Sequence, residues 1–170
     1  MLRLARRSGR ALPLASLRAC LAAVITFVAA CNSVEAPIED PAQTTYATAL
    51  GVNLAQMTRT PSGLYYQDLV TGTGAVADSG KTVRVYYTGW LTSGEQFDSN
   101  RSRTPFEFVL GLNSVIKGWE EGLKGMRVSG RRRLVVPPDL GYGGTTSGLI
   151  PAGSVLVFDV ELVSVTGGTS

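Results

Sequence analysis

The chain has 170 residues, 44% of them hydrophobic and 17% charged, with 20 glycines and no histidine. That length suits one domain with flanking segments, and the missing histidine removes the usual general base, the Ser-His-Asp arrangement and most transition-metal sites. The formal charge of +3 does not mark a nucleic-acid binder: five of the 16 basic residues and none of the 13 acidic ones lie in the first thirty positions, and the rest carries a formal −2.

Those thirty positions read as an export signal. Arg3, Arg6, Arg7, Arg10 and Arg18 precede a charge-free apolar run of 12 residues, Ala19 to Ala30, well short of the roughly 20 that a membrane-spanning helix needs. Residues 1–30 are therefore set aside from the fold. Val28-Ala29-Ala30-Cys31 resembles the lipobox of bacterial lipoproteins, which implies cleavage before Cys31 and acylation of its sulfur. Ordinary cleavage near Ala30 or Ala36 would instead leave Cys31 a free thiol. Cys20 departs with the signal, so no internal disulfide is expected. The expected location is the cell envelope, lipid-anchored at Cys31 and facing the periplasm in a cell with two membranes. Asn32, in place of the Asp that often retains lipoproteins at the inner membrane, favours outer-membrane sorting.

Residues 31–60 contain Pro37 and Pro41, scattered Ala and Thr, and no sustained hydrophobic period. They read as a flexible tether, with at most a weak helix over Tyr46 to Met57. Fully extended, such a tether reaches roughly 100 Å. A domain over 61–166 follows, and 167–170 reads as a flexible end.

From Leu64 the pattern becomes strands punctuated by glycine-rich turns: Leu64 to Val70, Thr82 to Trp90, Phe106 to Leu110, Gly130 to Val136 and Val155 to Val165. In the last, Leu156, Phe158, Val160 and Leu162 share one face. One segment carries helix signals: Asn113 or Ser114 as cap, Glu120 and Glu121 in the body, then Lys124 and Gly125. A single helix cannot cover both faces of a five-stranded sheet, so the expected fold is α+β, a curled antiparallel half-barrel of about five strands wrapped around one short helix.

Little chemistry is available by elimination. No phosphate cradle ends in Lys-Ser or Lys-Thr, and Gly141-Tyr142-Gly143-Gly144 lacks a following helix. The carboxylates lack metal-ligand spacing, so no metal and no cofactor is expected. Arg131-Arg132-Arg133 sits on a predicted strand, where alternate side chains point to opposite faces; a solvated strand with one arginine paired inward is the expectation, and no nucleic-acid contact.

Six strings in consistent order carry a resemblance: Tyr86-Tyr87-Thr88-Gly89, Gly94-Glu95-Gln96-Phe97-Asp98-Ser99, Pro105-Phe106-Glu107-Phe108, Val115-Ile116-Lys117-Gly118-Trp119-Glu120-Glu121-Gly122, Pro138-Asp139-Leu140-Gly141-Tyr142-Gly143 and Leu156-Val157-Phe158-Asp159-Val160-Glu161-Leu162. Together they resemble the FKBP-type peptidyl-prolyl cis-trans isomerases over Leu64 to Val165. The resemblance implies a pocket lined by Tyr87, Phe97, Asp98, Phe106, Val115, Ile116, Trp119, Tyr142, Leu149, Ile150 and Phe158, with Trp119 as its floor. It implies catalytic roles for Asp98, Tyr142, Trp119, Phe97 and Tyr87. The Ile116 N–H and Tyr142 hydroxyl would hold carbonyls, Asp98 would face the twisted amide, and Tyr87 would orient Asp98. Implied partners are proline-containing polypeptides and macrolides of the FK-binding class, and a monomer is expected.

Several of these residues have plainer roles open to them. Trp119 could be core, Asp98-Ser99-Asn100 is good turn chemistry, and Tyr142 could pack its ring and wet its hydroxyl. Phe158 serves core and pocket alike. The loop Gly144-Thr145-Thr146-Ser147-Gly148-Leu149-Ile150-Pro151 is one residue shorter than in many members of the family and lacks their His; the loop after Asp98 is also shorter by one, between Arg103 and Pro105. The functional expectation is an envelope-tethered isomerase assisting exported proteins, without a covalent intermediate. The alternative is a non-catalytic module that uses the same pocket to dock proline peptides or act as a chaperone. A dimer joined by an N-terminal helical stalk is disfavoured, because residues 32–60 are too short and irregular to form one.

Overall fold

The computed structural model describes residues 37–167. The export signal, Cys31 and residues 168–170 lie outside that range. Seven strands and one short helix follow in order: β1 (Thr58–Arg59), β2 (Tyr65–Val70), β3 (Thr82–Leu91), β4 (Gln96–Ser99), β5 (Phe106–Val109), α1 (Lys117–Gly122), β6 (Arg131–Val136) and β7 (Leu156–Thr166). All pairings are antiparallel, in the order β1-β2-β6-β7-β3-β4. β5 pairs with the first half of β3, Thr82 to Val85, and β4 with its second half, Thr88 to Trp90. The sheet is open: no pairing joins β1 to β4 or β5.

The five expected strands are all present, and two were missed. β1 is only two residues long. β4 ends in Asp98 and Ser99, which with Asn100 read as turn chemistry. Its strand character comes from tertiary pairing with β3, Thr88 opposite Ser99 and Gly89 opposite Asp98.

The helix begins later than its capping signals suggest. Ile116, with extended backbone and no side-chain cap, precedes Lys117, and Asn113 sits in the left-handed region at φ 54°. Asn113 and Ser114 are thus released from capping. The C-terminal signal holds: Gly125, at φ 81°, follows the helix and donates to the Ala77 carbonyl at 2.9 Å. Two glycines let α1 lie close on β6. A Cβ on Gly118 would stand 2.6 Å from Val136 Cγ1, and one on Gly122 2.7 Å from Leu134 Cδ2. Helix propensity is given up for that approach.

On its helix face the sheet buries Val83, Val85, Leu134, Val136, Leu156, Phe158, Val160 and Leu162 against Trp119 and Leu123. The opposite parity of the same strands forms a second, smaller core. Val135, Val155 and Val157 are fully buried there, under Leu50 and beside Tyr46, Ala47, Val52, Leu54 and Met57. This corrects the tether expectation. From Pro37 to Arg59 the chain is a strap folded onto the outer face of the sheet, with single 3-10 turns at Thr48–Leu50 and Leu54–Gln56 where a weak helix was expected. Burial of apolar area over otherwise exposed valines drives that packing.

Two of the three consecutive arginines are paired, one on each face. Arg132 reaches Asp68 at 2.7 and 3.1 Å and the Gly122 carbonyl at 2.8 Å. Arg133 reaches Asp159 at 2.7 and 2.9 Å and donates to the Leu50 carbonyl of the strap. Arg131 is exposed.

Candidate functional site

Between β3, β4, β5 and the start of α1 lies a cavity of about 430 Å³. Trp119, 4% exposed, forms its buried side. Tyr87 on β3 and Phe158 on β7 stand edge-on to the indole, with ring centroids at 4.9 and 5.4 Å and interplanar angles of 81° and 82°. Phe97 on β4 stands edge-on to Phe158 at 5.5 Å. This arrangement requires a glycine: a Cβ on Gly89 would lie 2.6 Å from Phe97 Cζ and 2.8 Å from Phe158 Cε1. Phe106 on β5, 41% exposed, and Tyr142, 39% exposed, form the rim. Val115 and Ile116 close the wall at the helix start, joined by Asn113 and Ser114.

One carboxylate enters this aromatic enclosure. Asp98 accepts from the Tyr87 hydroxyl and, at its other oxygen, from the Ser99 N–H at 2.8 Å, with Arg103 at 3.5 Å. Tyr87 is itself fixed through the backbone, its N–H donating to the buried Asn100 side chain at 2.8 Å, while the Asn100 amide donates to the Val85 carbonyl at 3.0 Å. Burial, then the hydrogen bond to Asp98 and its charge, push the Tyr87 hydroxyl far above its ordinary pKa of 10.0. Tyr87 therefore stays a donor throughout the physiological range, and Asp98 keeps its orientation. The Trp119 indole N–H is buried without a hydrogen-bond partner among the described residues. The Ile116 N–H and the Tyr142 hydroxyl likewise engage no protein partner among them.

Two expected wall residues stand apart. Leu149 is 62% exposed and Ile150 is buried in the core. The reason is a tight reciprocal pair in which the Ser147 and Ile150 N–H groups each donate to the other's carbonyl at 2.9 Å, turning Ile150 inward and Leu149 to solvent. Asn113, Ser114 and Asn100 were missed as contributors. Asn113 and Ser114 carry strong capping chemistry that hid their place at the pocket, and the amide of Asn100 looks like one more turn residue.

The chain is similar in sequence and fold to known proteins. A family model described as FKBP-type peptidyl-prolyl cis-trans isomerase matches residues 74–163. The FK506-binding protein of Neisseria meningitidis serogroup B is 46% identical over 105 residues, which are 61% of this chain and 96% of that protein. FK506-binding protein 4 of Dictyostelium discoideum is 52% identical over 105 residues, 61% of this chain but 29% of that protein. The chain thus spans under a third of the length of its eukaryotic relatives of this kind. The crystal structure of FkpA from Escherichia coli superposes with a TM-score of 0.59 at 41% identity, covering 65% of this chain and 51% of that one. That of AtFKBP13 superposes with a TM-score of 0.58 at 40% identity, covering 64% and 97%.

Proposed function

The chain belongs to the family of FKBP-type peptidyl-prolyl cis-trans isomerases, and we propose that it accelerates rotation about X-Pro bonds of exported polypeptides in the pocket of Trp119. The observation that carries this reading is the aromatic enclosure itself, Trp119 edge-on to Tyr87 and Phe158 with one oriented carboxylate at its side. Rotation about an X-Pro bond faces a barrier of roughly 20 kcal/mol, because the amide carries partial double-bond character. Water stabilises the planar, charge-separated amide. Aromatic walls that exclude water favour the twisted, less polar one.

The proline ring sits against Trp119. The free Ile116 N–H and Tyr142 hydroxyl are the donors that hold flanking carbonyls. Asp98, held by Tyr87 and Ser99, faces the twisting amide. No bond to the protein forms or breaks, and the work is positioning and electrostatic. The same pocket accepts FK506-like macrolides by the same chemistry, apolar ring against indole and carbonyls on the two donors.

Location forms the second part of the reading. Acylation at Cys31 ties the protein to a membrane of the envelope. Because the strap is folded from Pro37 onward, only residues 31–36 remain between anchor and domain, at most about 20 Å when fully extended. The isomerase then works close to the bilayer, where exported chains emerge, rather than at the end of a long tether.

The test is the cis-to-trans rate of a short Phe-Pro peptide with the purified protein beside Asp98→Ala and Trp119→Ala variants. The expected result is a catalysed rate that a macrolide suppresses and that Asp98→Ala lowers about tenfold without unfolding the domain. A well-folded protein with no acceleration leaves a peptide-binding module in its place. Incorporation of labelled fatty acid by cells producing the wild type but not Cys31→Ala tests the anchor.

A further inference from the structure

The loop that carries Tyr142 has few ties of its own. It leaves the turn at Pro138–Leu140 and returns to the sheet at β7, and between them Tyr142, Gly144, Thr145, Thr146, Gly148 and Leu149 are exposed. Its base is closed by one pair, the Gly153 N–H donating to the Gly143 carbonyl at 2.8 Å, while the Gly143 N–H donates to the Pro138 carbonyl at 2.9 Å. Gly143 is the residue next to Tyr142. Whatever fixes Gly153 therefore bears on the pocket rim.

Glu39 of the strap fixes it from both sides. Its N–H donates to the Gly153 carbonyl at 2.9 Å, and its Oε2 accepts from the Val155 N–H at 2.8 Å, so one residue brackets Ser154. The contact is backbone against backbone: a Cβ on Gly153, which sits at φ 76°, would lie 2.9 Å from the Pro37 carbonyl oxygen. The strap is stiff enough to transmit this hold. Asp40 accepts from the Ala42 N–H at 2.9 Å, the Tyr46 hydroxyl donates to the Pro41 carbonyl at 2.9 Å, and the Ala47 N–H donates to the Thr92 carbonyl at 2.8 Å. Beyond these, Leu50 is buried in the outer core.

We propose that Glu39 is a positioning residue for the pocket: by clamping Gly153 and Val155 it holds the base of the Tyr142 loop, so that the strap sets substrate affinity. Glu39 precedes residues 74–163, the part matched by the family model, while Gly153 and Val155 lie within it. This control rests on the isomerase reading for its substrate. A loop held in its binding geometry loses less freedom when a peptide binds, and the benefit appears in affinity more than in turnover.

Glu39→Ala and Glu39→Gln, with the wild type, test this by kinetics on a Phe-Pro peptide and by amide exchange at Gly143 and Gly153. Glu39→Ala is expected to raise KM about three- to tenfold, the effect of one charge-assisted bond, with kcat within about twofold and faster exchange at Gly153. Glu39→Gln, whose amide oxygen still accepts from Val155, is expected to restore KM to within about twofold of wild type. A Glu39→Ala protein that is less stable but keeps the wild-type KM overturns the proposal and leaves Glu39 a plain structural cap. Wild-type protein with no activity overturns the isomerase reading instead. In that event unchanged exchange at Gly153 in Glu39→Ala still overturns the clamp.

Discussion

On one face of the sheet, Leu134, Val136, Leu156 and Phe158 pack against a six-residue helix and leave a cavity beside Trp119. On the other, Val135, Val155 and Val157 pack under a strap with no α-helix in it. Both faces bury fully inaccessible valines, and each has a paired arginine from the same tripeptide. The faces differ in what the covering element offers. A helix presents a ridge of large side chains and a free N-terminal edge, which together leave room for a ligand. The strap lies along the strands and fills its contacts through Leu50, Tyr46 and Leu54, so the outer face is built for stability and loop support.

That contrast predicts separable losses. Trp119→Ala is expected to show the largest effect, about 4 kcal/mol of stability from the cavity it leaves together with most of the isomerase activity. Leu50→Ala is expected to cost about 2–3 kcal/mol while kcat stays within about twofold. Urea unfolding and peptide kinetics on both variants measure this directly. A Leu50→Ala protein as stable as wild type would mean that the strap is merely laid on the sheet, and a collapse of its kcat would mean that the faces are not separable.

The two faces were unequally legible in the sequence. Every strand of the sheet except β1 and β4 was readable from alternation and glycine punctuation, and most of the pocket walls followed from motifs in fixed order. The strap was not readable, because Tyr46, Leu50, Leu54 and Met57 stand at helical spacing while Gly51, left-handed at φ 60°, and the extended Asn53 break that stretch into two 3-10 turns. The signal lay in its partner. Leu134-Val135-Val136 and Val155-Leu156-Val157-Phe158 are apolar at both parities, the mark of strands buried on both sides. One face of a half-barrel open to water would have shown polar residues at 135, 155 and 157. Leu149 and Ile150 failed for a different reason, since a two-residue reversal sets which of two adjacent apolar side chains turns inward and no periodicity reports it.

The arginine pairs sharpen the comparison at a smaller scale. Arg133 and Asp159 on the outer face are 15% and 14% exposed at their side chains, whereas Asp68, the partner of Arg132, is 39% exposed. Arg132 also keeps the Gly122 and Lys124 carbonyls and the face of Tyr66 at 4.7 Å when its carboxylate is removed. Arg133 would keep only the Leu50 carbonyl. Asp159→Ala is therefore expected to cost about 2 kcal/mol and Asp68→Ala about 1, since the half-exposed Asp68 is screened by water and Arg132, though itself 9% exposed, keeps more partners than Arg133 does. Equal losses by denaturant titration would show that the strap does not seal its face from water.

The smallest expected effect places one tyrosine on each face. Tyr46, in the strap, has its hydroxyl pushed well above the ordinary value of 10.0 by burial and then by the charge of Glu39; Tyr87, in the pocket, is pushed up by burial and then by Asp98. Both keep their protons when folded, whereas in the unfolded chain they ionise near pH 10. Above that pH the unfolded state binds fewer protons than the native one, so stability falls as pH rises, from about 10 toward the raised native values. Below it neither group contributes any slope. Tyr46→Phe and Tyr87→Phe should each flatten the fall between pH 9 and 11 in urea titrations, and the double variant should flatten it by the sum, because the two lie on opposite faces and share no partner. A flattening in Tyr87→Phe alone would mean that the strap lets water reach Tyr46, and that the outer face is sealed less well than its buried valines imply.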